Sequence, residues 1–318
     1  MKRFDITAIG ELNVDLILNR IGGFPEVGKE KFADEMLLTL GSSTAIFAAN
    51  AAALGSEVAF AGMIGRDVFG TLVRESLAAR GVDTEFVIES PECATGATIV
   101  MSYDEDRANL TYQGAMDRMR LRDLDPSLFD RTRHIHLSSL FMQSGLMSDI
   151  AELLERAVAK GITVSLDTQW DPAERWELDY RRLLPMIDLF LPNEKELAAL
   201  TGRATLDEAI GEVVPYLRCA MVVKCGSRGS LLVRKDGSRH ALPAFLNASV
   251  VDTIGAGDSF NAGFVHAFVA GRPLEECQRI GNLTGAVNTT AAGGTGAFTS
   301  REAVIRTARE RFGENLNI

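Results

Sequence analysis

From about residue 131 the chain alternates short apolar runs with stretches of helical length, and that alternation restricts the fold more than any other feature. The runs at 134–138, 163–167, 189–192 and 221–224 read as strands. The stretches at about 145–160, 193–201 and 205–217 read as helices lying between them. Strand–helix alternation of this kind argues for βαβ units and a parallel sheet covered by helices. A late hairpin, 229–233 and 239–242, turns at Lys235-Asp236-Gly237 and is followed by helices at about 256–271, 273–290 and 300–312. Earlier in the chain, strands at 4–10 and 57–64 flank a helix of small residues, 45–54, closed by Gly55. A further helix, 70–80, is closed by Gly81. Segments 16–22 and 31–39 flank a Pro/Gly turn, and 95–101 and 108–113 flank the charged turn Asp104-Glu105-Asp106-Arg107. These four extended pieces read as a small sheet that could act as a lid. No internal repeat, low-complexity linker or charge block interrupts the chain, so a single domain over 1–318 is expected, with lid segments at about 12–40 and 92–116 inserted into it.

The stretch richest in chemistry is 251–263. Ala248 to Val251 reads as a short extended segment; Gly255-Ala256-Gly257-Asp258 then opens an apolar helix. Amides freed at a helix N-terminus form an anion site, and small residues let a phosphate approach the backbone. An acid beside such a site can take the proton of a hydroxyl attacking phosphorus. The bland alternative is a helix start with glycine in the turn and Asp near the cap. Asp15 follows the first strand, at the edge where open parallel sheets place ligands; a solvated turn acid is the competing reading. Gly23 to Lys29 almost spells a P-loop, but Glu30 stands where a Ser or Thr would hold magnesium, and Pro25 removes an amide. No GxGxxG follows a strand and no GxSxG is present, so dinucleotide and serine-hydrolase readings lack an anchor. His134 and His136 share a strand face with no carboxylate or cysteine at ligand spacing, and read as structural. Asn193 with Glu196 reads as a helix cap that could also hold water around Mg²⁺. Lys224 to Gly229 is a glycine-flanked turn that could line phosphates or simply close a hairpin.

A formal net charge of −10 argues against non-specific nucleic-acid or anionic-membrane binding, which needs a basic face. A nucleotide remains admissible, since a phosphate needs only local amides and one or two cations. The four scattered cysteines form no CxxC pair and suggest reduced thiols in a cytoplasmic protein. The first residues lack the long apolar run of a signal peptide, and apolar stretches are broken before membrane-spanning length.

Taken together, these segments resemble the ribokinase-like (PfkB-type) carbohydrate kinases along essentially the whole chain. Asn13-Val14-Asp15 follows the first strand, and Gly41-Ser42-Ser43 through Gly55 with 62–70 is similar to the family's first signature. Pro192-Asn193-Glu194-Lys195-Glu196 is similar to its NxxE element. Asp252-Thr253-Ile254-Gly255-Ala256-Gly257-Asp258 resembles its second signature, DTxGAGD, the most specific of the four. The resemblance implies a Rossmann-like α/β fold, a mostly parallel sheet flanked by helices with a small β-sheet lid. It also implies ATP-dependent phosphorylation of a primary hydroxyl of a small carbohydrate (hexose, pentose or ketose), with ATP and Mg²⁺, a K⁺ site, and a homodimer joined through the lid. Asp258 would be the base and the amides of Gly255, Ala256 and Gly257 the anion hole. Asp15, Gly41, Ser42 and Ser43 would bind the sugar, and Asn193 and Glu196 would reach magnesium through water. Asn193, Lys224, Gly226, Gly229 and Asn282 would line the nucleotide. Asp252, Ile254, Ala291, Gly294, Gly296 and Ser300 would hold the monovalent cation. Three departures bear on the acceptor: the usual Gly-Gly pair is Gly41-Ser42, a common Asn is Ile46, and Asp167-Thr168-Gln169-Trp170 lacks the Asn and Arg that often follow this strand. Trp170 points away from acidic sugars, and Ser42 with Ile46 points away from ribose as a default. A nucleoside kinase, or a non-catalytic sugar- or nucleotide-binding regulator on the same fold, are the competing functions.

Overall fold

The computed structural model describes residues 3–103 and 106–318. In the first third of the chain, β1 (Phe4–Ile9), β2 (Asn13–Ile21) and β3 (Ala33–Leu40) precede α1 (Ser43–Ala53). β4 (Val58–Gly65), α2 (Val68–Ala79), β5 (Asp83–Ser90), β6 (Gly96–Tyr103) and β7 (Asp106–Tyr112) follow. The middle third contains α3 (Leu128–Arg131), β8 (Thr132–Ser138), α4 (Ser144–Ala159), β9 (Thr163–Asp167), α5 (Tyr180–Leu183), β10 (Leu189–Phe190), α6 (Glu194–Thr201) and α7 (Leu206–Val213). The last third holds β11 (Ala220–Lys224), β12 (Ser230–Arg234), β13 (Arg239–Leu242), α8 (Ala256–Val269), α9 (Leu274–Asn288) and α10 (Arg301–Phe312).

Nine strands form one sheet in the order β13-β12-β11-β10-β9-β8-β1-β4-β5. Its pairings are parallel except at β11–β12 and β12–β13, where the late hairpin adds antiparallel strands. A sheet covered on both faces must be apolar at nearly every position. β4 is buried throughout, and its neighbours divide between two cores. Ala61, Ile135, Val164 and Val223 face one core; Phe60, Ala8 and Val222 face the other, with α1 and α8 packed against them. The fold is thus the Rossmann-like α/β architecture expected.

A second sheet of four strands runs β3-β2-β6-β7. β2 pairs antiparallel with β3 but parallel with β6, so the hairpin β6–β7 docks directly on the hairpin β2–β3. The turn residues Asp104 and Glu105 lie outside the described residues.

Three local expectations are corrected. Ala248 to Val251 joins no strand; its backbone bends, and the Val251 N–H donates to the Thr289 carbonyl at 2.9 Å. The helix expected over 205–217 ends at Val213 and tightens into a single 3-10 turn around Pro215, because proline supplies no N–H for the preceding turn. The strand expected over 189–192 shrinks to two residues, although Asn193 makes an isolated bridge to Lys224. The two histidines are structural, as expected: His134 and His136 are buried, both bond Ser165 Oγ at 2.8 Å, and burial pushes each down to about 3, so both are neutral.

Candidate active site

Strands β1, β8, β9, β10 and β11 all end at one edge of the large sheet, and the residues that follow them wall a cleft of about 2180 Å³. A single small-molecule site is usually about 300–1,000 Å³, so this cleft has room for two reactants. The small sheet contributes Asp15, Ile17, Thr98 and Val100 to one wall, and the loops around 244–257 and 289–296 form another.

At the centre is the start of α8. Gly255 stands before it with φ +74, a left-handed conformation that costs glycine little, and no side chain caps the helix. A Cβ at Gly255 would fall 2.5 Å from Gly294 Cα, so two backbone segments touch here. Of the three amides expected to form the anion hole, that of Ala256 donates to the Thr253 carbonyl at 3.2 Å. Among the described residues, those of Gly255 and Gly257 have no hydrogen-bond partner. A Cβ at Gly257 would meet only the Lys224 side chain, 3.7 Å from Nζ.

Asp258 lies in the first turn of α8 and is buried. Burial, then the neighbouring charges of Asp167 and Glu11, hold its carboxyl well above the usual carboxylate range, while Lys224 and a hydrogen bond from Gln169 pull the other way. Gln169 Nε2 donates to Asp258 Oδ1 at 2.9 Å and to Asp167 Oδ2 at 3.2 Å. Asp167, fully buried, also accepts from Lys224 Nζ and Asn261 Nδ2, each at 2.5 Å. Burial opposes the charge on Lys224, but Asp167, Glu196 and Asp258 outweigh it and raise its pKa. The site therefore keeps a buried ammonium among three carboxyl groups.

Asn193 and Glu196 form a capping box at the start of α6. The Glu196 amide donates to Asn193 Oδ1 at 2.9 Å, and Asn193 N and Nδ2 donate to the Glu196 carboxylate at 2.8 and 2.6 Å. Burial and Asp167 push Glu196 up to about 7. Among the described residues no group of three His, Cys, Asp or Glu could cage a metal. One carboxylate facing a wet cleft suits a largely hydrated Mg²⁺ better than a closed protein site.

The wall beneath the small sheet is built from Asn13, Asp15 and the start of α1. Asn13 Nδ2 donates to Asp15 Oδ1 at 2.9 Å and to Thr98 Oγ1 at 3.2 Å. Gly41 is absent from the wall itself; a Cβ there would fall 2.4 Å from Asp15 Oδ1, so the glycine makes room for the carboxylate. Ser42 has φ +72, and its hydroxyl is engaged within the protein, accepting from Ala45 N and donating to the Glu11 carbonyl at 2.7 Å. Ser43 lines the cleft. Ile46 stands within reach of a Cβ placed at Gly255 or Gly294.

Beyond β11, Gly226 and Gly229, with φ +57 and +97, shape the turn, and a Cβ at Gly229 would fall 2.0 Å from the Leu242 carbonyl oxygen. Asn282 lines the cleft while its amide donates to the Leu242 and Pro243 carbonyls. The six residues expected around a monovalent cation are partly gathered. Asp252 accepts from the Ile254 and Gly293 amides, each at 2.9 Å. The Ile254 carbonyl accepts from Asn288 and that of Gly294 from Asn50. Gly296 lines the cleft, but Ala291 and Ser300 do not, and the Ser300 hydroxyl caps α10.

Four residues here were given no role by the sequence reading, Glu11, Asp167, Gln169 and Asn261, although the 167–170 stretch stood out as a departure. Asp167 ends a strand at the ligand-bearing edge, and Asn261 stands one helical turn beyond Asp258, so their places in the chain could have marked both as residues of the site, though not their pairing. Gln169 carries no such signal, because its left-handed backbone, φ +57, occurs in a residue type that seldom adopts it.

An open α/β fold with a two-reactant cleft, an uncapped helix start and a buried acid defines a class of phosphate-handling enzymes. The profile of the pfkB family carbohydrate kinases matches residues 3–301. An uncharacterized sugar kinase of Archaeoglobus fulgidus is 32% identical over 236 residues, 73% of this chain and 91% of that protein. An ATP-dependent ribose-1-phosphate kinase of Halopiger xanaduensis is 30% identical over 96% of this chain and 99% of its own length. The structure of Arabidopsis thaliana ribokinase complexed with ribose and ATP superposes with a TM-score of 0.83 at 26% identity, covering 96% of this chain and 99% of that one. The chain belongs to the pfkB family of carbohydrate kinases, and it is a phosphotransferase.

Proposed function

We propose that the protein transfers the γ-phosphoryl of ATP to a primary hydroxyl of a small carbohydrate, with Asp258 as general base. The observation that carries this reading is the position of Asp258, buried beside the uncapped start of α8 and between the Asp15 and Lys224 walls of one cleft. The acceptor hydroxyl gives its proton to the Asp258 carboxylate, its oxygen forms the new bond to phosphorus, and the bond to the β-phosphate oxygen breaks to release ADP. A base with a raised proton affinity suits that step near neutral pH. The Gly255 and Gly257 amides, with Ala256 once its bond to Thr253 opens, would stabilise charge on the transferred group, and Lys224 would face the phosphates. Asn193 and Glu196 would hold Mg²⁺ through water, and bound there the ion would neutralise phosphate charge. Asp15, Ser43 and Gly41 would serve the sugar. Gly226, Gly229 and Asn282 would serve the nucleotide. Asp252, Ile254, Ala291, Gly294, Gly296 and Ser300 would serve K⁺ after rearrangement of Ser300.

The small sheet, 12–40 with 92–116, would act as a lid that excludes water on closure. Its face away from the cleft supports a homodimer: Leu38, Leu16, Ile99 and Leu110 stand in one cross-strand row, and Met36, Leu18, Met101 and Ala108 in the next. Met36 and Leu110 are 70% and 65% exposed in the single chain, an apolar surface of the kind that marks an interface. Replacing Leu110 by Glu should give a monomer by light scattering; a wild-type protein that is already monomeric at micromolar concentration removes this part of the reading. All four cysteines are free thiols, in keeping with a cytoplasmic setting.

The test of function is a coupled ADP-release screen over neutral hexoses, pentoses, ketoses, ribose 1-phosphate, keto-deoxy acids and nucleosides, with and without K⁺. Turnover with a neutral sugar is expected. Turnover confined to nucleosides would replace the acceptor class, and binding without turnover of any acceptor would favour the regulator.

A further inference from the structure

The family reading leaves Gln169 without a task, yet its side chain is the only one that hydrogen-bonds Asp258 among the described residues. Its amide nitrogen points between two carboxyl groups, Asp258 and Asp167, and its own N–H donates to Asp167 Oδ1 at 3.3 Å. Carboxylates only accept, so a side-chain amide with two N–H bonds is the neutral group that can serve both at once. The backbone is held left-handed to put it there, a conformation that a non-glycine residue keeps only when its surroundings impose it. Asp258 Oδ2 accepts no hydrogen bond among the described residues, and Asp258 and Gln169 both line the cleft.

We infer that Gln169 is a positioning residue for the proton-accepting carboxylate: it fixes Asp258 by one oxygen, turns the other towards the acceptor hydroxyl, and ties the base to Asp167 and Lys224. This inference rests on the reading of Asp258 as the base. The chain of contacts runs Asp258–Gln169–Asp167–Lys224, from the acceptor side of the cleft to its phosphate side. A rotation of Asp258 about its side chain would break the first link, and the amide resists it. The amide also favours the ionised carboxylate, because it donates to that form. The titratable groups facing Asp258 are Asp167 at the end of β9, Glu11 after β1 and Lys224 at the end of β11. Glu196 on α6 acts on Lys224, and His136 nearby is neutral.

The test compares pH profiles of kcat and kcat/KM at saturating ATP for the wild type, Gln169→Met and Gln169→Glu. Methionine keeps the length and removes both donors; glutamate adds a third carboxyl group. The ascending limb should move to higher pH by about one unit in the Met variant, and further in the Glu variant. Turnover should recover only part of the way at the alkaline end, because deprotonation restores the base but not the orientation the amide gave it, while the KM for ATP stays within about twofold, a change under about 0.5 kcal/mol. A limb that stays in place, with kcat lowered by one factor at every pH, overturns the inference, since a merely displaced loop would behave that way. If the Met variant does not fold, the Glu variant against wild type decides between the same two outcomes. Asp258→Asn is measured alongside. Near-normal turnover there removes the base assignment itself, whereas an inactive Asp258→Asn with unmoved Gln169 profiles removes only the role of Gln169.

Discussion

Two helices, α1 and α8, start at the cleft after glycine-containing turns, and they treat their first amides in opposite ways. At α1 the Ser42 hydroxyl accepts from Ala45 N, and the Glu11 carboxylate accepts from Thr44 N at 3.4 Å and from Thr44 Oγ1 at 2.5 Å. The amides of Thr44 and Ala45, with that of Ile46 on the Ser42 carbonyl, are satisfied from within the chain. At α8 no side chain caps the helix, and Asp258, in the first turn, is bonded by Gln169. Every helix start leaves orphan amides, so the difference lies in what the chain supplies for them. A buried start capped by its own residues is complete as a piece of structure. One left uncapped at a cleft keeps its partial positive charge for an anion from outside. Similar-looking sequences, Gly-Ser-Ser and Gly-Ala-Gly, thus support different tasks because one carries a side-chain acceptor at the cap and the other carries none.

The largest effect that could break this contrast is at Asp258. Asp258→Asn should lower kcat by about 10²–10⁴-fold, the usual worth of a positioned base, while leaving ATP affinity nearly unchanged in a titration. Turnover close to wild type would make α8 no more catalytic than α1. Next comes Gly255→Ala. The methyl would sit 2.5 Å from Gly294 Cα on a backbone with φ +74. A cost of about 1–3 kcal/mol is expected for the strained residue alone, seen as a lower denaturation midpoint, together with loss of turnover as the turn shifts. An equally stable, fully active variant would show that the turn has room the structure denies it.

Much of this is legible in the residues themselves, and the reason differs from element to element. The parallel sheet announces itself through strands apolar at successive positions, since both faces are covered. Helix ends at Gly81, Gly202 and Gly313 follow from glycines that adopt positive φ. The 255–258 turn is legible because small residues stand at fixed spacing before an acid at a helix start. What escapes is set by contacts distant in sequence. The hydroxyl of Ser42 looks available for a sugar, but its partner is the carbonyl of Glu11, 31 positions earlier. Asp167 reaches its Lys224 and Asn261 partners from 57 and 94 positions away. No local periodicity reports such pairings. β10 is shorter than its apolar run suggests because that run ends in Pro192, which brings no N–H to a ladder; Leu191 still donates to the Leu166 carbonyl at 2.8 Å, and the Pro192 carbonyl accepts from Lys224 N at 2.9 Å.

Two smaller substitutions sharpen the α1 side. Ser42→Ala removes the cap and should cost about 1 kcal/mol in chemical denaturation, with a smaller loss of turnover than Gly255→Ala, because α1 supplies no amide to the reaction. Glu11→Gln is subtler and appears as a slope. Burial raises the Glu11 carboxyl above its ordinary range despite hydrogen bonds from Thr44 and Ser139. As pH rises past the ordinary glutamate value, the unfolded chain loses this proton while the folded protein keeps it, so the folded state binds more protons and its stability falls. Glutamine has no proton to lose. Wild type should therefore compare best with Glu11→Gln at acid pH and progressively worse as pH increases towards the raised value, measured by urea denaturation at several pH values. A difference that stays flat with pH would mean that Glu11 is ionised in the folded protein, making α1 a helix start held by a full negative charge and widening its contrast with α8.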